Sequence, residues 1–271
     1  MDKLPIALQL YSVREDMKKD FKGTLRQIKK MGYEGVELAG LYDRSFEEVK
    51  AILSEVGLKI VSAHVPFIDL IENTEVLVKG YHDLGCMQIV IPYITEEYRP
   101  GNEKYAEFVE GIKHISLCCS KHGMTLAYHN HDFEFEKLDG RYFLDILYED
   151  LPENILKTQL DTCWIKVAGE NPVDYIKKYK WRQPTIHLKD FKGFKSEKMY
   201  GLLGIDDTKQ LKEKQEFSFM PLGTGYQEIP DIIKAAIDAG VKWAIVEQDS
   251  PSMGKTPIKC AEASINYYKS L

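Results

Sequence analysis

The sequence predicts an α/β protein closed as a single (β/α)8 barrel, with a long loop after the seventh strand. Three observations carry this expectation. Short apolar runs alternate with amphipathic segments along the whole 271-residue chain. Eight such runs can be counted, and parallel strands in succession require crossover helices. No Gly-x-Gly-x-x-Gly follows the first run, as a doubly wound dinucleotide fold would show. No linker, low-complexity tract or composition break divides the chain, so residues 1–271 read as one domain.

The first run is IALQLYS (6–12), followed by a helix from about Asp20 to Met31 with Leu25, Ile28 and Met31 on one face. GVEL (35–38) is the second, and the helix after it opens on a Ser45/Glu48 capping box and closes at Gly57. LKIVSAH (58–64) and MQIVIPY (87–93) follow, with helices reaching about Leu84 and His122. MTLAYHNH (124–131) precedes a helix over 141–150. LKTQLD (156–161) precedes one after Asn171-Pro172, where proline suits a first turn. PTIHLKD (184–190) and WAIVEQD (243–249) complete the eight, and a last helix spans about Pro257 to Lys269. Its INYY segment (265–268) fits either a core face or a homo-oligomer interface. Residues 191–225 exceed an ordinary barrel loop and fit a lid or a solvated insertion equally well. The Gly-x-Gly at Gly223 and Gly225 fits a turn as readily as a phosphate cradle.

Composition narrows the function. A formal charge of −6 argues against a nucleic-acid partner. No run approaches the roughly 18 apolar residues of a membrane span, and the N-terminus lacks a signal-peptide pattern, so a cytoplasmic location is expected. Five cysteines, an odd number with one adjacent pair and no CxxC, make neither a disulfide framework nor a zinc knuckle.

The chemistry concentrates at strand ends. YHNHDFE (128–134) closes run five, Asp161 run six, His187 sits in run seven and Glu247 in run eight. Imidazoles and carboxylates in these places are what a divalent metal site on a barrel mouth requires. Each has a plainer reading alone. Asp161 also fits the N-cap of a following turn, and His187 a buried, hydrogen-bonded core histidine. On strand five, His129 and His131 alternate and so share a face. Lys189 shares the His187 face and fits an acid, a base or an oxyanion partner, or an exposed loop lysine. Tyr11, Glu37, His64 and Trp164 fall where substrate would lie, Trp164 fitting ordinary packing equally well.

The segments LQLYSVR, GYEGVELAG, SAHVPF, YHNHDFEF, LDTCW, IHLKD, PLGTG and VEQD together resemble the xylose-isomerase-like TIM-barrel superfamily. The resemblance is to its sugar phosphate isomerase/epimerase branch, which includes inosose dehydratase and ketose 3-epimerases. It implies one divalent ion (Mn2+, Co2+, Mg2+ or Zn2+) held by a strand-five residue with Asp161, His187 and Glu247. Epimerases carry a glutamate on strand five. Here that place falls at Tyr128 or His129, which makes His129 the expected fourth ligand and Glu134 its competitor. The implied substrate is a sugar or polyol, with His131, Glu134, Lys189 or Glu247 as acid or base. The expected activity is a metal-dependent isomerase or epimerase working through α-proton abstraction and a metal-stabilised enediolate. The alternatives are a dehydratase or lyase on an inosose or 3-keto sugar, and a non-catalytic sugar-binding barrel. A DNA-repair endonuclease on a related barrel does not suit the acidic charge.

Overall fold

The computed structural model describes residues 2–195 and 217–271. Eight parallel strands close in chain order: β1 (Ile6–Gln9), β2 (Gly35–Ala39), β3 (Lys59–His64), β4 (Gln88–Ile91), β5 (Thr125–His129), β6 (Lys157–Asp161), β7 (Thr185–Leu188) and β8 (Trp243–Val246), which pairs back onto β1. Every apolar run of the sequence becomes a barrel strand, and the helices form the outer layer.

The strands are shorter than the runs that announce them. β1 stops at Gln9, whose side chain accepts the Tyr11 N–H at 3.0 Å and opens a 3-10 turn over Leu10–Val13. β5 stops at His129, so His131 lies beyond the strand instead of alternating along it. After β7, Asp190–Lys192 pairs antiparallel with Ser218–Met220, so the region read as one loop begins and ends as a ribbon. The proposed lid falls mainly on 196–216, outside the described residues.

Local chemistry sets the helix ends. Ser45 and Glu48 form the capping box, and Gly57 ends that helix at φ +77. Asn171 caps Pro172–Lys178. The segment before Leu84 divides into Phe67–Glu72 and Thr74–Leu84. Helices Arg14–Lys19, Thr162–Val167 and Ile229–Asp238 add to those the sequence predicts. The first two are 6 residues each, too short to show a helical period. In the last helix, Ile265 and Tyr268 turn into the core, and the Tyr268 hydroxyl donates to Leu4 O at 2.7 Å. All five cysteines are free and buried.

Helices and outward strand residues share one apolar core. Inside the barrel, the lowest layer is apolar, with Ala7, Val61 and Ile245 against Trp243. Above it lie buried Gln9, Glu37, Ser62, Gln88, Gln159 and Thr185. They hydrogen-bond largely to one another, and only Gln88 Nε2 in this layer has no partner among the described residues. Gln159 Nε2 donates to Glu37 Oε2 at 2.6 Å and to Thr185 Oγ1 at 3.0 Å. Thr185 Oγ1 donates across the barrel to Gln88 Oε1 at 3.0 Å.

Candidate metal and active site

The polar layer carries the site above it. Parallel register sets Gln159 beside His129 and Asp161 beside His187. His129, Asp161, His187 and Glu247 each offer one ligand atom, and these atoms lie within 4.8 Å of one another. This is the set the sequence singled out. All four are buried at the C-terminal mouth.

Second contacts hold the donors in place. His187 Nδ1 faces Glu247 Oε2 at 3.0 Å, and Nε2 faces Glu37 Oε1 at 2.7 Å. A carboxylate behind an imidazole fixes its tautomer and aims the other nitrogen. Glu37 is therefore no substrate-facing residue as expected. It is fully buried beneath the floor, and it also accepts from Gln9 at 2.7 Å and from Ser62 at 2.5 Å. His64 joins the floor, its Nε2 2.7 Å from Gln159 Oε1, with its ring stacked 5.4 Å from that of His187. His129 Nδ1 approaches the same Gln159 oxygen at 3.2 Å.

Asp161 caps the helix that follows it, and its second oxygen faces the cluster. Oδ1 accepts the Cys163 and Trp164 N–H groups at 2.7 and 3.1 Å, capping the short helix. Oδ2 is buried with no hydrogen-bond partner among the described residues, 3.7 Å from His129 Nε2 and 3.5 Å from Lys189 Nζ. A buried carboxylate oxygen left this way calls for a cation.

Lys189 is fully buried, not an exposed loop lysine. Its ammonium meets Asp249 at 2.5 Å, Glu247 at 3.1 Å and Asp161 at 3.5 Å. Burial opposes its charge, but those carboxylates outweigh burial and hold the pKa well above the usual lysine range. Burial likewise disfavours charge on His187, and Glu37 and Glu247 overcome it, raising its pKa to about 10. His129 and His131 follow burial and shift well below the ordinary histidine value. Asp249, which sequence reasoning missed, is pushed up to about 6 by burial. Its signal was present in VEQD, two residues past Glu247.

A cavity of about 580 Å3 opens above this floor. Tyr11, His64, His129, His131, Lys189, Glu247 and Asp249 line it from the floor side. The loops after β3 and β4 supply an apolar wall that includes Phe67, Ile68, Tyr93, Ile94 and Tyr98.

Besides Glu37, two residues predicted for catalysis or substrate binding are not brought to the cavity. Glu134 turns away from it, accepting the Tyr128 hydroxyl at 2.5 Å and the His131 N–H at 2.7 Å. The cause is the 3-10 turn Phe133–Phe135 after β5, and burial pushes this carboxyl up to about 8. Trp164 is fully buried with Phe191, Phe217 and Phe219, and its ring meets His131 at 5.5 Å and Lys189 Nζ at 5.3 Å. It braces two cavity residues from below and lines nothing itself. The Gly-x-Gly cradle is already filled. Asp190 accepts the Gly223, Gly225 and Gln227 N–H groups at 3.0, 2.8 and 3.1 Å. A Cβ on Gly225 would lie 2.1 Å from Asp190 Oδ1, so only glycine fits there.

With two imidazoles and two carboxylates offering ligand atoms within 4.8 Å, and one buried oxygen among them without a hydrogen-bond partner among the described residues, the residues fit a divalent cation. Residues 25–271 match the family model described as xylose isomerase-like TIM barrel. The chain belongs to this family. Among xylose isomerase-like proteins, an inosose dehydratase of Clostridium beijerinckii is 22% identical over 275 residues, covering 92% of this chain and 89% of the relative. A sugar phosphate isomerase/epimerase structure from Parabacteroides distasonis superposes with TM-score 0.80 at 20% identity, covering 99% of this chain and 98% of that one. A probable 3-DHS dehydratase from Bacillus anthracis, involved in petrobactin synthesis, superposes with TM-score 0.73 at 17% identity, covering 98% and 99%. No helix among the described residues is long and apolar enough to cross a membrane.

Proposed function

We propose that the protein is a metal-dependent dehydratase acting on an unphosphorylated keto-polyol or keto-sugar. The observation that carries this is the convergence of His129, Asp161, His187 and Glu247 within 4.8 Å beneath a cavity. His129, Asp161, His187 and Glu247 would hold a divalent ion, which would supply Lewis-acid chemistry to a substrate carbonyl. His131, on the cavity wall, takes the proton of the adjacent C–H. Lys189 Nζ, kept charged by Asp249 and Glu247, gives a proton to the β-hydroxyl as the C–O bond breaks. A C=C bond forms and water leaves, so atoms and charge balance. Glu37 keeps His187 oriented, and the apolar wall excludes water from the reacting ring.

Elimination is placed ahead of isomerisation, reversing the order the sequence suggested. The glutamate nearest strand five, Glu134, is turned towards Tyr128, so a pair of carboxylates on opposite sides of the substrate is not formed by it. An imidazole facing an ammonium suits a base and an acid of different kinds. An isomerase or epimerase is the second reading. It is favoured by His131 and Lys189 both lining the cavity, since a proton taken by one and returned by the other inverts a carbon. The unphosphorylated substrate rests on charge. Lys189 is the one lysine or arginine lining the cavity among the described residues, and it is already engaged by three carboxylates.

The test is turnover of inososes, 3-keto sugars and ketoses by protein stripped of metal and reloaded with Mn2+, followed by NMR in D2O. Metal-dependent formation of an enone with loss of water supports the proposal. Deuterium exchange with an epimerised product selects the second reading. Stoichiometric metal binding with neither deuterium incorporation nor turnover defeats both.

A further inference from the structure

Glu75 lies in the first turn of helix Thr74–Leu84, and Cys118 and His122 lie at the end of helix Tyr105–Lys121. The two helices flank β4 in sequence and pack against each other. Cys118 and His122 are four residues apart, so they share a helix face. Across the helix pair, Glu75 meets them. One ligand atom from each of the three lies within 4.8 Å of the others, on the outer layer and away from the cavity. The thiol is buried, the imidazole partly exposed and the carboxylate exposed. The His82 ring sits 5.1 Å from that of His122, adding a second imidazole at the rim.

We propose that Glu75, Cys118 and His122 form a second metal site selective for zinc, with water in the fourth position beside His82. Sulfur, nitrogen and oxygen donors in a four-coordinate set are zinc's preference, whereas Mg2+ and Mn2+ favour oxygen-rich octahedral sites. The mouth group contains no sulfur. This difference separates the two sites spectroscopically. Bound there, zinc would tie together the helices on either side of β4, a stabilisation by mass action.

The experiment uses the full chain stripped of metal and titrated with Co2+ as a zinc substitute. Thiolate-to-cobalt charge-transfer absorption in the near ultraviolet is expected. Cys118→Ser and His122→Ala should each abolish it and remove one metal equivalent per chain, leaving turnover unchanged. His129→Ala should remove a different equivalent and keep the band, so failure of the mouth site would not be mistaken for failure here. Where Cys118→Ser does not fold, the partly exposed His122 carries the same test. A band that survives in Cys118→Ser, or no band in the unsubstituted protein at saturating Co2+, overturns the proposal.

Discussion

The two halves of the barrel mouth are built for different tasks. On the side of β5–β8, His129, Asp161, His187, Lys189 and Glu247 are packed into contact and buried. On the side of the β3 and β4 loops, Phe67, Ile68, Tyr93 and Tyr98 wall the cavity, and Ile68 keeps 41% of its surface exposed. Buried charges are costly unless each has a partner, so the first half is over-determined and each atom has a fixed place. The second half asks only for shape and dryness, and it can change with the substrate. In the proposed function, reaction class then belongs to one half and substrate choice to the other.

That division is open to attack at four points. Asp161→Ala should cost the most, because it removes a proposed metal ligand and a helix cap together. Turnover should fall on the order of 10³-fold, about 4 kcal/mol of transition-state stabilisation, and bound metal should disappear from elemental analysis. Turnover and metal content near normal would sink the assignment of chemistry to β5–β8. Glu37→Gln keeps the size but not the charge behind His187. A loss of roughly 10–100-fold in activity or metal affinity is expected, the range typical of a residue that orients a ligand. An unchanged kcat would mean that His187 needs no such support.

Glu134 lies behind the chemical half and is predicted to act on stability alone. Its carboxyl rises from an ordinary 4.5 to about 8 in the folded chain. The folded state thus holds a proton that the unfolded state releases. Its stabilisation is full below pH 4.5 and is lost as pH rises through about 8. Glu134→Gln should flatten denaturation midpoints across that window and leave turnover near normal. A large loss of kcat in this variant would return Glu134 to the catalytic group. The smallest effect belongs to the wall. Ile68→Ala should raise KM several-fold with kcat unchanged, about 1 kcal/mol of uniform binding. An effect on kcat instead would show the two halves to be coupled.

Much of the mouth was legible because its residues end the apolar runs. Register in a barrel follows from the strands themselves, so an Asp ending one run and a His in the next must meet. The inner polar layer was harder to read. Gln88, Gln159 and Thr185 sit in strands of 4 or 5 residues, where an alternation of two leaves one or two inward positions and no visible period. Glu134 misled through its closeness to His131 in sequence, since a single 3-10 turn was enough to face its carboxylate the other way. Lys189 could be exposed or buried on sequence grounds, and only the meeting of three carboxylates from β6 and the segment after β8 made burial possible.

The sequence by itself determined the eight strands, their order, and the four candidate donors at or near their ends, because hydrophobic period and strand-end chemistry are local properties of the chain. The tertiary structure alone decided which side chains share a charge. Glu37 became a support for His187, Asp249 a partner for Lys189 and Asp190 the occupant of its own glycine cradle. Electrostatic partnership depends on distances of a few ångströms between residues far apart in sequence, and closure of the barrel sets those distances.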